Sequence, residues 1–370
     1  MSRPAPAHPG DVLDRRTLNR ALLDRQLLLR RKRIAAVDAI ERLVGLQAQI
    51  PANPYLSLWS RLAGFTPEHL AALVRERRAV RLALMRSTIH LVSADDCLSL
   101  RPVIQPVLER QLRSTSFGRN IAGIDDAALV RAGRVLLREP KTLSELGAGL
   151  RRRWPDRDAT SMAYAIRNLV PLVQIPPRGL WRQSGQATHA TAETWLGRPL
   201  AKSGRPDDMV LRYLAAFGPA SVRDVQNWSG LTRLRAVVDR LRPRLRTFRD
   251  ERGQELFDVP GASLPDAATP APPRFLPDYD NVLLGHHDRS RIFRDETERS
   301  GLIGRPTVLV DGIVGATWDA SEANGVATLT VRPFARLSRA DREAVGEEGV
   351  RLLGLLAPGA HPNVRFAAPD

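Results

Sequence analysis

The feature that most constrains this chain is a supersecondary unit that recurs along it. The clearest copy spans residues 209–259. Residues 209–217 carry apolar side chains at helical spacing and end at Gly218–Pro219. Ser221 then stands where a short helix over 222–228 needs an N-cap, and Gly230 stops it. Thr232 opens another helix to about Leu241, before Pro243. Two strand-like runs, 245–249 and 255–259, flank a turn at 251–253. Helix, helix-turn-helix and β-hairpin in that order predict a winged helix. A second copy starts where Thr142 caps a helix through Leu150, followed by a helix over 158–169. Its wing is expected from strands 172–175 and 180–183 around the turn 176–179. The first copy is less regular: a basic amphipathic helix over 17–31, helices over 37–46 and 67–77, then strands 80–85 and 89–92.

Residues 260–273 are rich in Pro and Ala and read as a linker. Beyond it come strand-like runs at 274–276, 307–310, 313–318 and 326–331, a helix over 338–356 and a strand over 363–366. Several short strands with one helix predict a small barrel or half-barrel. The predicted fold is therefore α+β. Residues 1–10 form a disordered tail, winged helices occupy 11–94, 95–205 and 206–259, and a β-barrel-like domain occupies 274–370.

Charge bounds the partners. The formal net charge is +16, which favours a polyanion, nucleic acid before membrane surface. The only lysines are Lys32, Lys141 and Lys202, so arginine carries nearly all of it; a GC-rich genome explains that preference but not the net excess. No apolar run approaches the roughly 20 residues a bilayer span needs, so no membrane partner is expected. The first ten residues have no apolar stretch of a secretory signal. With the single cysteine, Cys97, excluding an intramolecular disulfide, these features lead to an expected cytoplasmic monomer.

The usual catalytic signatures are absent: no P-loop, no GxGxxG opening a helix, no GxSxG elbow, and no cluster with metal-ligand spacing. No metal or cofactor is expected. Two places stand out instead. In residues 286–289, His286, His287, Asp288 and Arg289 occupy a polar run that reads as a solvated loop or as a contact to phosphate or base. In GLQAQIPANPY, residues 45–55, Gln47 and Gln49 precede Pro51, which disfavours helical geometry at Ile50. On an extended chain the two amides point to one side; on a continuing helix they diverge by about 200°.

Four further stretches, together with residues 45–55, carry a family resemblance over nearly the whole chain. They are TLNRALLDRQLLLRR (17–31), MRSTIHL (85–91), LPDYDNVLLGHHDRSRI (276–292) and LVDGIVGATW (309–318). With these the chain resembles the winged-helix DNA glycosylases of the azinomycin-resistance (AlkZ-like) type. The resemblance implies three winged helices and a β-barrel in a C-shaped DNA channel, with Gln47 and Gln49 as the catalytic pair. It implies a monofunctional glycosylase that removes N7-alkylated purines, including bulky adducts and interstrand crosslinks, from double-stranded DNA.

That chemistry suits the residues. A purine alkylated at N7 is cationic and can depart without an enzyme acid, leaving a water to be placed at C1′. A carboxamide both donates and accepts, so it positions rather than deprotonates. DNA contacts are expected from Arg30, Arg31, Lys32, Arg33, His286, His287, Arg289 and Arg291, and further phosphate contacts from the basic stretches 151–157 and 240–249. On the residues alone, a non-catalytic winged-helix regulator and a protein-interaction scaffold remain alternatives.

Overall fold

The structure, a computed structural model, describes residues 11–202, 204–294, 302 and 304–368; the tail expected at 1–10 lies outside them. The chain enters through strand β1 (Val12–Leu13) and helix α1 (Arg15–Arg25), capped by Asp14, whose carboxylate accepts from Thr17 N at 2.6 Å. The helix expected over 17–31 stops at Arg25, because Leu27 takes a left-handed φ of 60°. Next come α2 (Ala36–Arg42), β2 (Leu46–Gln47), α3 (Asn53–Arg61), α4 (Pro67–Arg75), β3 (Ala79–Ala83) and β4 (Ile89–Ser93). α2 was expected to reach residue 46, but Val44 and Gly45 both adopt positive φ, 55° and 88°, and swing residues 46–47 into a sheet. α3 was not expected at all.

The middle of the chain forms α5 (Ala94–Ser114), α6 (Ser116–Asn120), α7 (Asp126–Leu136), β5 (Lys141–Thr142), α8 (Leu143–Arg151), α9 (Ala159–Leu169), β6 (Leu172–Ile175), β7 (Thr188–Thr191) and α10 (Ala192–Leu196). Thr142 and Glu145 close a capping box on α8, as the spacing predicted for Thr142. The second wing is corrected. The partner of β6 is β7 at 188–191, while 180–183 lies in a turn held by Leu180 N to Pro177 O at 3.1 Å. A second departure is larger. β3 pairs with β6, so the first two units share one six-stranded sheet in the order β2-β4-β3-β6-β7-β5. Each unit alone would leave an unpaired strand edge, and joining the edges removes both.

The third unit follows its sequence closely: α11 (Pro206–Phe217), α12 (Val222–Ser229), α13 (Arg235–Leu241), β8 (Arg246–Asp250) and β9 (Glu255–Asp258). Ser221 caps α12 and Gly230 ends it in the left-handed region. Its hairpin takes β1 as a third strand. The order helix, short strand, two helices, two strands thus recurs as α2-β2-α3-α4-β3-β4 and α7-β5-α8-α9-β6-β7. In the third unit a bridge between Ala220 and Phe257 replaces the short strand.

The linker is fastened to α1. Arg16 Nε donates to Ala267 O at 2.8 Å, Arg20 Nε to Thr269 O at 2.7 Å and Arg25 Nη2 to Ser263 O at 3.0 Å. Arg25 is also buried in a two-bond pair with Asp258, at 2.7 and 2.8 Å. Residues 274–368 carry β10 (Arg274–Leu276), α14 (Asn281–Leu284), β11 (Thr307–Val310), β12 (Ile313–Ala323), β13 (Val326–Pro333), α15 (Arg339–Leu356) and β14 (His361–Phe366). The expected barrel is corrected to an open five-stranded sheet, β10-β11-β12-β13-β14, with β13 and β14 parallel. Leu352 and Leu353 of α15 pack with Phe275, Trp318 and Leu329 of the sheet. A helix laid on one face buries that face without closure. No helix among the described residues is long and apolar enough to cross a membrane.

Candidate active site

Gln47 ends the short strand β2, and Gln49 follows it in a bend two residues on. β2 pairs antiparallel with β4, Gln47 opposite His90, and Ala48 N continues the ladder to Ile89 O at 2.8 Å. Gly45 makes the approach possible: a Cβ there would stand 2.6 Å from Val92 Cγ1 and 3.1 Å from Leu91 O. The two glutamines are not equivalent. Gln49 is exposed, whereas Gln47 is only 6% exposed. Gln47 Oε1 accepts from Gln49 N at 2.7 Å, so the first amide is oriented by the backbone of the second. Gln49 Oε1 accepts from Ile89 N at 3.3 Å.

Two side chains that sequence reasoning did not select, Asn281 and Arg81, hold this segment, and a third, His90, stands opposite Gln47. Asn281, the first residue of α14, acts as a substitute strand along the free edge of β2. Its Oδ1 accepts from Gln47 N at 3.1 Å and its Nδ2 donates to Gly45 O at 2.6 Å. Arg81 of β3 is buried and donates from Nη2 to Ala48 O at 2.7 Å. His90 is 2% exposed, with Nδ1 at 3.0 Å from Thr88 O. A carbonyl can only accept, so Nδ1 carries the hydrogen. Burial, and then Arg86, push the His90 pKa down to about 3, so the ring is neutral. Asn281 lies in LPDYDN, His90 in MRSTIHL, and Arg81 was visible only as a lone charge within an apolar strand.

The next turn of chain from Asn281 anchors the arrangement. Asp280 receives Arg61 through two bonds, 2.6 and 2.9 Å, and Ser57 Oγ at 2.9 Å, all three side chains being buried. Its Oδ1 also caps α14 at Val282 N, 3.1 Å. Asn53 Nδ2 donates to Asp278 O at 2.7 Å. The segment 278–281 therefore ties the C-terminal sheet to both β2 and α3.

The polar run at 286–291 is mostly interior. His286 is 1% exposed; its Nε2 lies 3.0 Å from Phe217 O, and burial, followed by Arg291, drives its pKa far down. Arg291 is 5% exposed and donates to Pro219 O at 3.0 Å. For these two residues the expectation of a surface contact is corrected: packing against α11 and α12 occupies them. His287 and Arg289 are partly exposed. His287 N donates to Asp224 Oδ1 at 2.8 Å, and Asp288 pairs with Arg252 at 3.3 Å. Arg289 Nε reaches His286 O at 3.4 Å.

Of the Arg30–Arg33 stretch, Arg30 and Arg33 are exposed and Lys32 partly so. Arg31 is corrected: it stacks on Trp59 at 4.5 Å and pairs with Glu348 at 2.6 Å. Lys32 N bonds Arg61 O at the C-terminal end of α3, whereas the glutamines precede its N-terminal end, the helix itself being roughly 13 Å long at 1.5 Å per residue. In the other basic stretches, Arg240 is taken by Asp207 at 2.9 Å and Arg242 by Glu255 at 2.8 Å, while residues 151–153 remain exposed.

The chain matches the AlkZ-like DNA glycosylase family over residues 40–355. It is similar to an interstrand DNA cross-link repair glycosylase of Streptomyces sahachiroi, 25% identical over 367 residues, with 89% of this chain and 93% of that protein covered. In fold it is similar to the solved Streptomyces sahachiroi DNA glycosylase AlkZ, with a TM-score of 0.79 at 21% identity, covering 96% of this chain and 100% of that one.

Proposed function

This chain belongs to the AlkZ-like DNA glycosylase family and is thus a hydrolase of N-glycosidic bonds; on that premise we propose that it excises N7-alkylated purines by water attack positioned by Gln47 and Gln49. The observation that carries the reading is the coupling of the two amides at the end of β2, with Gln49 exposed and Gln47 Oε1 accepting from Gln49 N at 2.7 Å. Because Gln47 Oε1 is bound there, its Nε2 is the end offered toward the substrate. Gln49 presents a carboxamide at the surface. Together they hold a water against C1′. The water oxygen bonds to C1′ as the C1′–N9 bond breaks, the bonding pair neutralises the cationic base, and the surplus proton leaves to solvent. A neutral amide is a poor base, so its contribution is orientation. Neutral His90 and Gln47 place no positive charge of their own against an oxocarbenium-like sugar.

We read residues 11–94, 95–205 and 206–259 as winged helices that, with 274–370, form a C-shaped channel for double-stranded DNA. Arg30, Lys32, Arg33, His287 and Arg289 are the proposed DNA contacts. The name of the Streptomyces sahachiroi relative supports interstrand crosslinks as substrates; these, and the bulky adducts we propose beside them, an open channel admits more easily than a closed base pocket. The protein is proposed to act as a cytoplasmic monomer without a metal or cofactor.

The test is incubation with duplex DNA carrying N7-methylguanine, followed by mass detection of released base and by abasic-site cleavage. Release by the parent enzyme and not by folded Gln49→Ala is expected. Equal release by both would overturn the assignment of Gln49.

A further inference from the structure

Arg81 is a cation in an uncommon position. It lies on β3 opposite Leu91 of β4, which in turn is opposite Leu46 of β2. Cross-strand partners share a face, so Arg81 stands on the side of the sheet away from Gln47 and His90. Its guanidinium is sealed in: the residue is 2% exposed, and a Cβ on Gly179 would lie 2.8 Å from Arg81 Cδ and 3.1 Å from Nη1. Gly179 itself is fixed by Tyr55, whose hydroxyl donates to Gly179 O at 2.8 Å. Among the described residues no carboxylate pairs with Arg81, and Nε and Nη1 meet no protein acceptor. Burial, and then Arg178, bring its pKa down to about 10, which leaves it cationic at neutral pH. A buried charge lacking a counter-ion is expensive, and Arg61, Arg25 and Arg31 each meet a carboxylate.

Among the described residues the acceptor that the Arg81 guanidinium does have is Ala48 O, the carbonyl of the peptide that joins Ala48 to Gln49. The N–H of that same peptide donates to Gln47 Oε1 at 2.7 Å. The two bonds are in series: guanidinium, carbonyl, amide N–H, carboxamide oxygen. A cation at the carbonyl end polarises the peptide and strengthens the hydrogen bond at the other end.

We propose that Arg81 is a positioning residue for the glycosylase reaction, acting through the Ala48–Gln49 peptide to lock the Gln47 carboxamide in one orientation, oxygen to the backbone and nitrogen to the substrate. This rests on the reading of Gln47 and Gln49 as the catalytic pair. Arg81 touches no substrate, being on the opposite face. Its charge serves to stop the Gln47 amide from turning over. Without it Gln47 would spend part of its time with the wrong atoms facing the water, and the chemical step would slow while DNA affinity would not.

The test compares Arg81→Lys, Arg81→Gln and Arg81→Met. In single-turnover excision of N7-methylguanine, Arg81→Met and Arg81→Gln are expected to lose about tenfold in rate, on the order of one charge-assisted hydrogen bond. Their half-saturating enzyme concentration should be unchanged. Arg81→Lys should recover a substantial part, because the charge is kept. In protein labelled with 15N-glutamine, the Gln49 backbone amide should move to lower proton frequency in Arg81→Met and Arg81→Gln and less so in Arg81→Lys. A folded Arg81→Met with parental rate and an unmoved Gln49 resonance would overturn the proposal. So would rates that merely track melting temperature and recover on cooling. Parental excision by Gln47→Ala and Gln49→Ala would instead remove the catalytic reading itself, which the Arg81 series does not decide.

Discussion

The segments 45–49 and 286–291 look unequal in sequence, and the structure reverses their order. The second is the richer in chemistry, with two histidines, an aspartate and two arginines in six residues. Yet His286 and Arg291 are buried against Phe217 O and Pro219 O, and Asp288 is drawn to Arg252. The first offers only two neutral amides. It is held on one edge by β4, on the other by Asn281 and from beneath by Arg81. Titratable side chains stabilise a fold as readily as they catalyse. Backbone braced from three sides, ending in an exposed amide, is what a positioned water requires.

The sharpest break of this comparison is kinetic. Gln49→Ala is expected to slow single-turnover excision by about 10²–10⁴-fold. His286→Phe, if folded, should keep the parental rate within a few-fold. Loss in the second and not in the first would invert the comparison.

The anchor below Asn281 should show the largest effect on stability. Asp280→Ala leaves Arg61 buried without its carboxylate, for which a loss of about 3–5 kcal/mol is expected. Urea denaturation measures it, and a loss under 1 kcal/mol would mean that the 278–281 segment does not hold β2 in place.

Asn281→Ala removes the acceptor of Gln47 N and the donor to Gly45 O. It should cost about 1–3 kcal/mol and lower excision as well, because the strand edge is freed. Unchanged excision in a destabilised variant would assign Asn281 to the fold alone.

A pH series tests both segments at once. His90 and His286 are held neutral by burial, and in the unfolded chain each would bind a proton below about 6.5. The unfolded state thus takes up more protons as pH falls from 6.5, and stability drops with it. The slope is about 1.4 kcal/mol per pH unit for each histidine, continuing toward pH 3 in the case of His90. His90→Phe and His286→Phe should each flatten that slope by one proton. A melting temperature that is level between pH 6.5 and 5 would count against both.

The smallest effect belongs to the Arg252–Asp288 pair, which is exposed at Arg252. Asp288→Asn should change stability by less than about 1 kcal/mol, less still in high salt. A larger loss would show that the 286–291 turn depends on its surface charge.

Local chemistry made much of the architecture readable. Ser221, Thr142 and Gly230 mark helix ends through caps that involve only the next few residues, so the third unit and the start of α8 stand where the pattern puts them. Pro51 after Gln47-Ala48-Gln49 argued against a continuing helix there, and the chain runs instead through β2 as far as Gln47 and a bend at Gln49. Strands at 274–276, 307–310, 313–318 and 326–331 were legible too, since alternation is local, although the last two extend further, to Ala323 and Pro333.

Other features depended on distant partners. Whether the hairpin of β6 closes at 180–183 or at 188–191 depends on which strand meets its edge, and the fusion of β3 with β6 depends on two surfaces that no single stretch contains. The open sheet under α15 likewise follows from where one helix comes to lie. The sequence by itself determined the capping residues and most of the helices and strands, because these rest on side chains within a few positions of one another, while the two glutamines stood out through the family resemblance. Only the tertiary structure decided which amide is buried, which arginines face inward, and that residues 81 and 281 converge on Ala48 and Gln47 from opposite directions. Hydrogen bonds between residues hundreds of positions apart leave no periodic trace; they exist only once packing has brought their donors and acceptors within about 3 Å.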